Sequence, residues 1–100
     1  VQSLLADLSP DGQRLVFGDE WVGLEVFNLN TSTRARLANL RNSGWNPKWS
    51  ASGKWIAADK YFRGSVIVLA ENGKSFALGG KCTHIIDFEW SPVRDQLAYL

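Results

Sequence analysis

Residues 8–17 read Leu-Ser-Pro-Asp-Gly-Gln-Arg-Leu-Val-Phe, residues 49–58 read Trp-Ser-Ala-Ser-Gly-Lys-Trp-Ile-Ala-Ala, and residues 90–99 read Trp-Ser-Pro-Val-Arg-Asp-Gln-Leu-Ala-Tyr. The three stretches start at 8, 49 and 90, a constant step of 41. Each opens on a large apolar residue, passes through a serine and a turn, and closes on an apolar run. Other positions keep the same step. Gly23 matches Gly64, Val26 matches Ile67, Phe27 matches Val68, and Leu37 matches Leu78. Small and apolar residues agree by chance at one or two positions. This many agreements, at one period and without a gap, define an internal repeat.

Working outward from the repeat, each unit reads as short strands divided by turns. The strand signals are alternation, β-branched and aromatic enrichment, and bounding Gly, Pro, Asn or Asp. They predict strands near 4–8, 14–18, 24–29 and 34–38 in the first unit. In the second unit they predict strands near 45–49, 54–60, 65–70 and 75–78. The third supplies 86–90 and 96–100. Pro10 fixes φ for a turn and Gly12 supplies a positive φ after Asp11. Asn72-Gly73 reads as a tight hairpin turn. No window of helical length carries an apolar stripe at 3.6 spacing, so the fold class is all-β.

Four strands in about 40 residues is the size of a propeller blade. The expected architecture is therefore a β-propeller fragment. It has two four-stranded antiparallel blades, at about 4–38 and 45–79, and the first two strands of a third, at about 86–100. The unit beginning at Ser9 is expected to superpose on that beginning at Ser50. A blade cannot bury both faces by itself, so blades stack. Trp49, Trp55, Trp90, Phe17, Phe88 and Tyr99 fall on the first or second strand of a unit and suit the interior between blades.

The Trp/Leu-Ser-Pro-Asp-Gly-x-x-Leu/Ile-Ala/Val-Phe pattern resembles the WD-like repeat of TolB-type propellers. Related repeats occur in propeller domains of the prolyl oligopeptidase and tricorn families. The stretch from Val66 to Lys74 is also similar to that repeat. The second unit departs from it with Ala51-Ser52 in place of Pro-Asp, and the third with Val93-Arg94 in place of Asp-Gly. The Gly-His and Trp-Asp dipeptides of ordinary WD repeats are absent. The resemblance implies a fold and leaves function open, because such repeats carry many tasks. It also points to the bacterial periplasm, although cytoplasmic proteins carry the repeat too.

Composition sets bounds. Hydrophobic residues make up 45% and charged residues 21% of the 100 residues, and the formal net charge is +1. This is a globular balance, with no electrostatic footprint for nucleic acid. The longest apolar runs are too short for a bilayer-spanning helix. Cys82 is the only cysteine, so no disulfide forms within the chain. The chain opens on Val1 rather than on a basic, apolar leader, and it reads as a fragment whose ring needs further blades.

Residues that could carry chemistry have simpler readings. Ser9, Ser50 and Ser91 occupy the same turn and lie in no Gly-x-Ser-x-Gly elbow, so turn capping accounts for them. Cys82, His84 and Asp87 are too few for a zinc site. Asp19, Glu20 and Asp59 end second strands, where solvation or loop hydrogen bonds account for them. Gly23, Gly64, Gly79 and Gly80 form no phosphate loop. No catalytic residue, metal site or cofactor is expected.

The expected function is non-catalytic: a scaffold that binds a protein or peptide partner through one loop face. The alternative is the substrate-gating propeller of a prolyl oligopeptidase-like serine peptidase, with its catalytic domain elsewhere. In a meander, successive turns alternate between two faces. The loops near 19–23, 39–46, 60–64 and 80–85 share one face. They carry Trp21, Arg41, Trp45, Tyr61, Phe62, Arg63 and His84, the types that dominate binding hot spots. Trp45, Tyr61 and Arg63 are the expected anchors.

Overall fold

The computed structural model describes residues 6–19, 23–38, 43–60, 65–70, 74–79 and 88–100. Ten strands make up the regular structure of the described residues, which contain no helix. The first sheet holds β1 (Ala6–Leu8), β2 (Arg14–Asp19), β3 (Gly23–Asn28) and β4 (Thr33–Ala38), in that order and all antiparallel. The second holds β5 (Ser43–Trp49), β6 (Trp55–Lys60), β7 (Ser65–Ala70) and β8 (Ser75–Gly79), arranged the same way. A third, two-stranded antiparallel sheet pairs β9 (Phe88–Trp90) with β10 (Leu97–Tyr99). The fold is all-β, built of antiparallel meanders, and this arrangement is consistent with a propeller fragment.

The sheets stack on one another through two apolar layers. Between the first and second sheets lie Val16, Leu24, Trp49, Ile56, Ala58, Ile67 and Leu69, flanked by Val26 and Leu37. Between the second and third lie Ala57, Val66, Val68 and Phe88, flanked by Trp55, Leu78, Trp90 and Leu97. Side chains along a strand alternate between its two faces. Ile56 and Ala58 therefore face the first sheet while Ala57 faces the third. The middle sheet is covered on both sides, and its sequence shows it: Ile56-Ala57-Ala58 and Val66-Ile67-Val68-Leu69 are continuous apolar runs, and all seven residues are buried. A strand with one wet face would alternate instead.

The turns joining the first two strands of each sheet repeat at the 41-residue step. Ser9 N–H donates to Arg14 O at 2.7 Å, Ser50 N–H to Trp55 O at 2.8 Å, and Ser91 N–H to Gln96 O at 2.7 Å. In the first two turns the glycine N–H donates back to the serine carbonyl, from Gly12 at 2.9 Å and from Gly53 at 3.0 Å. Both glycines have positive φ, +75° and +76°, a conformation that costs other residues a clash of Cβ with the backbone. Arg94 stands at the equivalent place in the third turn, whose inner bond runs instead from Gln96 N–H to Arg94 O at 2.8 Å. The turn keeps its outer closure and changes its inside where the glycine is missing.

Several expectations shift in detail. Strand β5 begins at Ser43, two residues before the expected 45–49, so Trp45 and Asn46 lie in the strand and the loop expected near 39–46 overlaps it. Tyr99 is half-exposed rather than interior. Strand β10 is shorter than expected because Gln96 is taken into the turn. The Asn72-Gly73 turn lies outside the described residues, though its flanks are closed by Ala70 N–H donating to Lys74 O at 2.8 Å.

Candidate functional site

The described residues define one end of the stacked sheets in detail. At this end the turns between first and second strands sit side by side. Arg14 Nη2 donates to Gly53 O at 3.1 Å, which joins the first turn to the second. Ser52 Oγ donates to Asp95 Oδ2 at 2.6 Å, and Ser52 N–H to Asp95 Oδ1 at 3.0 Å, which joins the second to the third. Within the first turn, Ser9 Oγ donates to Asp11 Oδ1 and accepts from Arg14 N–H at 3.0 Å. Ser50 Oγ accepts from Trp55 N–H at 3.1 Å. Ser9 and Ser50 are buried. These serines cap turns, and their hydroxyls are spent on that.

The carboxylates here are held in their charged form. The Ser9 hydroxyl, then the Gln13 N–H, lowers the Asp11 pKa below the ordinary 3.8, and the Arg14 charge adds to this. The Ser52 hydroxyl, then its N–H, does the same for Asp95, with smaller help from Ser50 and Lys54. Hydrogen bonds donated to a carboxylate favour its ionised state.

Because the turn ends of the three sheets lie together, the opposite strand ends also lie together. From these, residues 20–22, 39–42, 61–64 and 80–87 make their connections. Trp21, Arg41, Tyr61, Phe62, Arg63 and His84 lie outside the described residues. Trp45 is placed by its backbone: it pairs with Asp59 near the start of β5, between two register shifts. Asn46, next to it, has a φ of +53°, which asparagine tolerates better than most residues. An extra residue in a strand re-aims the chain and increases its twist. Here it follows Trp45 and precedes the buried Pro47. The sequence reading put Trp45 both in the strand at 45–49 and in the loop near 39–46; it lies in the strand, whose bulge leaves no clean alternation.

The sequence reading missed a groove between the rims of the first two sheets, with a volume of about 470 Å³. Its floor is Val26, Leu37, Trp49 and Ile56, and Arg14, Arg34, Arg36 and Lys54 border it. Arg14 lies over the Trp49 ring, 4.6 Å from its centroid, a cation–π arrangement. The corresponding groove between the second and third sheets has about 310 Å³ and is lined by Trp55, Val68, Leu78, Trp90, Asp95 and Leu97. No signal in a single strand could have revealed either groove, because each forms only where two units meet.

Among the described residues, no group of three or more His, Cys, Asp or Glu side chains could hold a metal ion. Cys82, His84, Asp87 and Glu20 lie outside the described residues. Among the described residues, no helix is long and apolar enough to cross a membrane. No protein-family model matches the chain, and no characterised protein matches it.

Proposed function

We propose that the chain supplies consecutive blades of a TolB-like β-propeller, a non-catalytic scaffold that binds a protein or peptide partner. The partner docks on the face where 20–22, 39–42, 61–64 and 80–87 connect strands. The observation that carries this reading is the chemistry of the turn end. The turn end consumes its serines and aspartates in bonds within and between turns. The segments that connect strands at the other end contain, in sequence, Trp21, Arg41, Tyr61, Phe62 and Arg63, which lie outside the described residues, and Trp45 stands at the adjoining start of β5. Such residues bury much area and donate several hydrogen bonds, and loops on a rigid scaffold are where binding groups concentrate. Stacked sheets with a 41-residue period of turn hydrogen bonds support the blade assignment.

The test is selection of binders from a displayed random-peptide library on the full chain. The selected peptides are then titrated against a variant carrying Trp45→Ala, Tyr61→Ala and Arg63→Ala. If one of the three is a hot spot, binding weakens by more than about 2 kcal/mol, while the β-sheet circular dichroism spectrum is retained. Unaltered affinity, or a loss that tracks unfolding, removes these side chains from the binding face.

A further inference from the structure

The rim groove of the first sheet lies beside a strand edge. Strand β4 is terminal in its sheet, and no described strand pairs with its outer side. Its residues divide cleanly between two faces. Arg34 pairs with Phe27, Ala35 with Val26, and Arg36 with Glu25. Directly opposed residues share a face. Ala35 therefore lies with Val26 on the groove side, where Leu37 also packs against the inter-sheet core. Arg34 and Arg36 lie on the far side with Glu25, where Arg34 Nε stands 3.4 Å from Glu25 Oε1. That contact is an ion pair without hydrogen-bond geometry, and Arg36 is the residue directly across from Glu25. Arg14 and Lys54 also border the groove, and no carboxylate lines it.

The repeat does not demand these cations. One period on, Arg34, Arg36, Arg14 and Lys54 become Ser75, Ala77, Trp55 and Asp95, while the apolar positions Leu37, Trp49 and Ile56 persist as Leu78, Trp90 and Leu97. Charges on an edge strand also guard against uncontrolled pairing. That need applies equally to β8, the terminal strand of the second sheet, which carries Ser75 and Ala77 at the matching places. The cations are particular to the first edge.

We propose that the outer edge of β4 binds an extended peptide in which acidic and apolar residues alternate. The peptide adds as a further strand. Its apolar side chains drop into the groove over Leu37, Trp49 and Ile56, and its carboxylates meet Arg34 and Arg36 on the opposite face. Strand addition draws affinity from main-chain bonds and specificity from alternate side chains. This surface is separate from the loop face, so its test stands apart from that of the scaffold reading.

The probe is a fluorescein-labelled peptide of about eight residues, a common strand length, alternating glutamate with leucine, titrated into the full chain by anisotropy. Saturable binding is expected, and Arg34→Glu with Arg36→Glu should weaken it about tenfold. Two further peptides need no protein variant. One is N-methylated at every leucine, the other at every glutamate. Successive N–H groups of a strand point to opposite sides, so only one of the pair should lose binding. Equal behaviour of the two, in either direction, would overturn the proposal. So would equal affinity for a peptide with its glutamates and leucines in two blocks, or equal displacement by an oligothymidylate, which would show mere attraction of polyanions.

Discussion

The indole Nε1–H of Trp49 donates to the backbone carbonyl of Asp7 at 3.0 Å, and the Asp7 carboxylate accepts the Trp49 backbone N–H at 2.8 Å. One period later Trp90 Nε1–H donates to Lys48 O at 2.9 Å. A tryptophan on the first strand of one sheet thus clips that sheet to the first strand of its predecessor. The bond needs an indole, because phenylalanine offers the area without the donor. Trp49→Phe should therefore lower stability by about 1 kcal/mol or more, and Trp49→Ala by about 3–5 kcal/mol. Asp7→Ala leaves the Trp49 N–H without its acceptor and should cost about 1–3 kcal/mol. Urea denaturation of the three variants, followed by circular dichroism, gives this ranking. A Trp49→Phe variant as stable as the parent would show that packing alone joins the sheets.

Asp95 ties the third turn to the second through Ser52, and its pKa lies below 3.8 for that reason. A carboxylate whose folded pKa is depressed contributes stability above its unfolded pKa. That contribution is lost as pH falls through the folded value. Asp11, lowered chiefly by the Ser9 hydroxyl, acts in the same direction. Thermal unfolding followed between about pH 2 and 6 should show Tm falling below about pH 4. Asp95→Asn should flatten that fall, and Asp11→Asn with Asp95→Asn should flatten it further. An unchanged acid limb in the double variant would place the acid-sensitive groups elsewhere.

How far the sequence could be read follows from which forces are local. The turns were legible because Gly12 and Gly53 and their preceding serines encode geometry within a few residues. The double-sided burial of the middle sheet was legible in Val66-Ile67-Val68-Leu69. Trp45 was read both as the start of a strand and as part of a loop, because the register shifts of β5 and the positive φ of Asn46 break the alternation that marks a strand. Tyr99 matches Ala58 by the repeat, yet it is half-exposed where Ala58 is fully buried. Periodicity predicts a position's face and not whether a neighbour covers it. The groove cations were invisible for a related reason: Arg14 and Lys54 come from different units and border one groove only when those units stack.

Gly12 and Gly53 share a backbone conformation but not a neighbourhood. A Cβ on Gly12 would meet nothing within 4 Å, whereas one on Gly53 would lie 3.2 Å from Arg14 Nη2 and 3.6 Å from Pro10 Cδ. Gly12→Ala should cost about 1–2 kcal/mol, the penalty of a left-handed residue. Gly53→Ala should cost more, because Arg14 must also shift from the Gly53 carbonyl and the Trp49 ring. Measured by denaturant midpoints, equal losses would mean that the Arg14 bridge adds nothing to the junction of the first two turns.

The outer faces of the stack give the last prediction. In the middle sheet Ile56 is 3% exposed and Ala58 fully buried, each covered by a neighbouring sheet. The matching residues of the first sheet, Leu15 and Phe17, alternate away from the inter-sheet core and are only partly covered. Leu8, where the later units have Trp49 and Trp90, is half-exposed, and Val93 and Leu100 stand out at the other end of the stack. An uncovered apolar sheet face beside open strand edges favours association. In isolation the chain should therefore elute at a mass above the 11.1 kDa of one copy when light scattering follows size exclusion. The share of larger species should rise with concentration. Leu15→Glu with Phe17→Glu places charge on the first of these faces without touching the core between sheets. It should shift the population toward the monomer while the β-sheet spectrum is kept. A wild-type chain that stays monomeric across the concentration range would mean that these faces need no covering sheet, and the case for further stacked units would lose its physical basis.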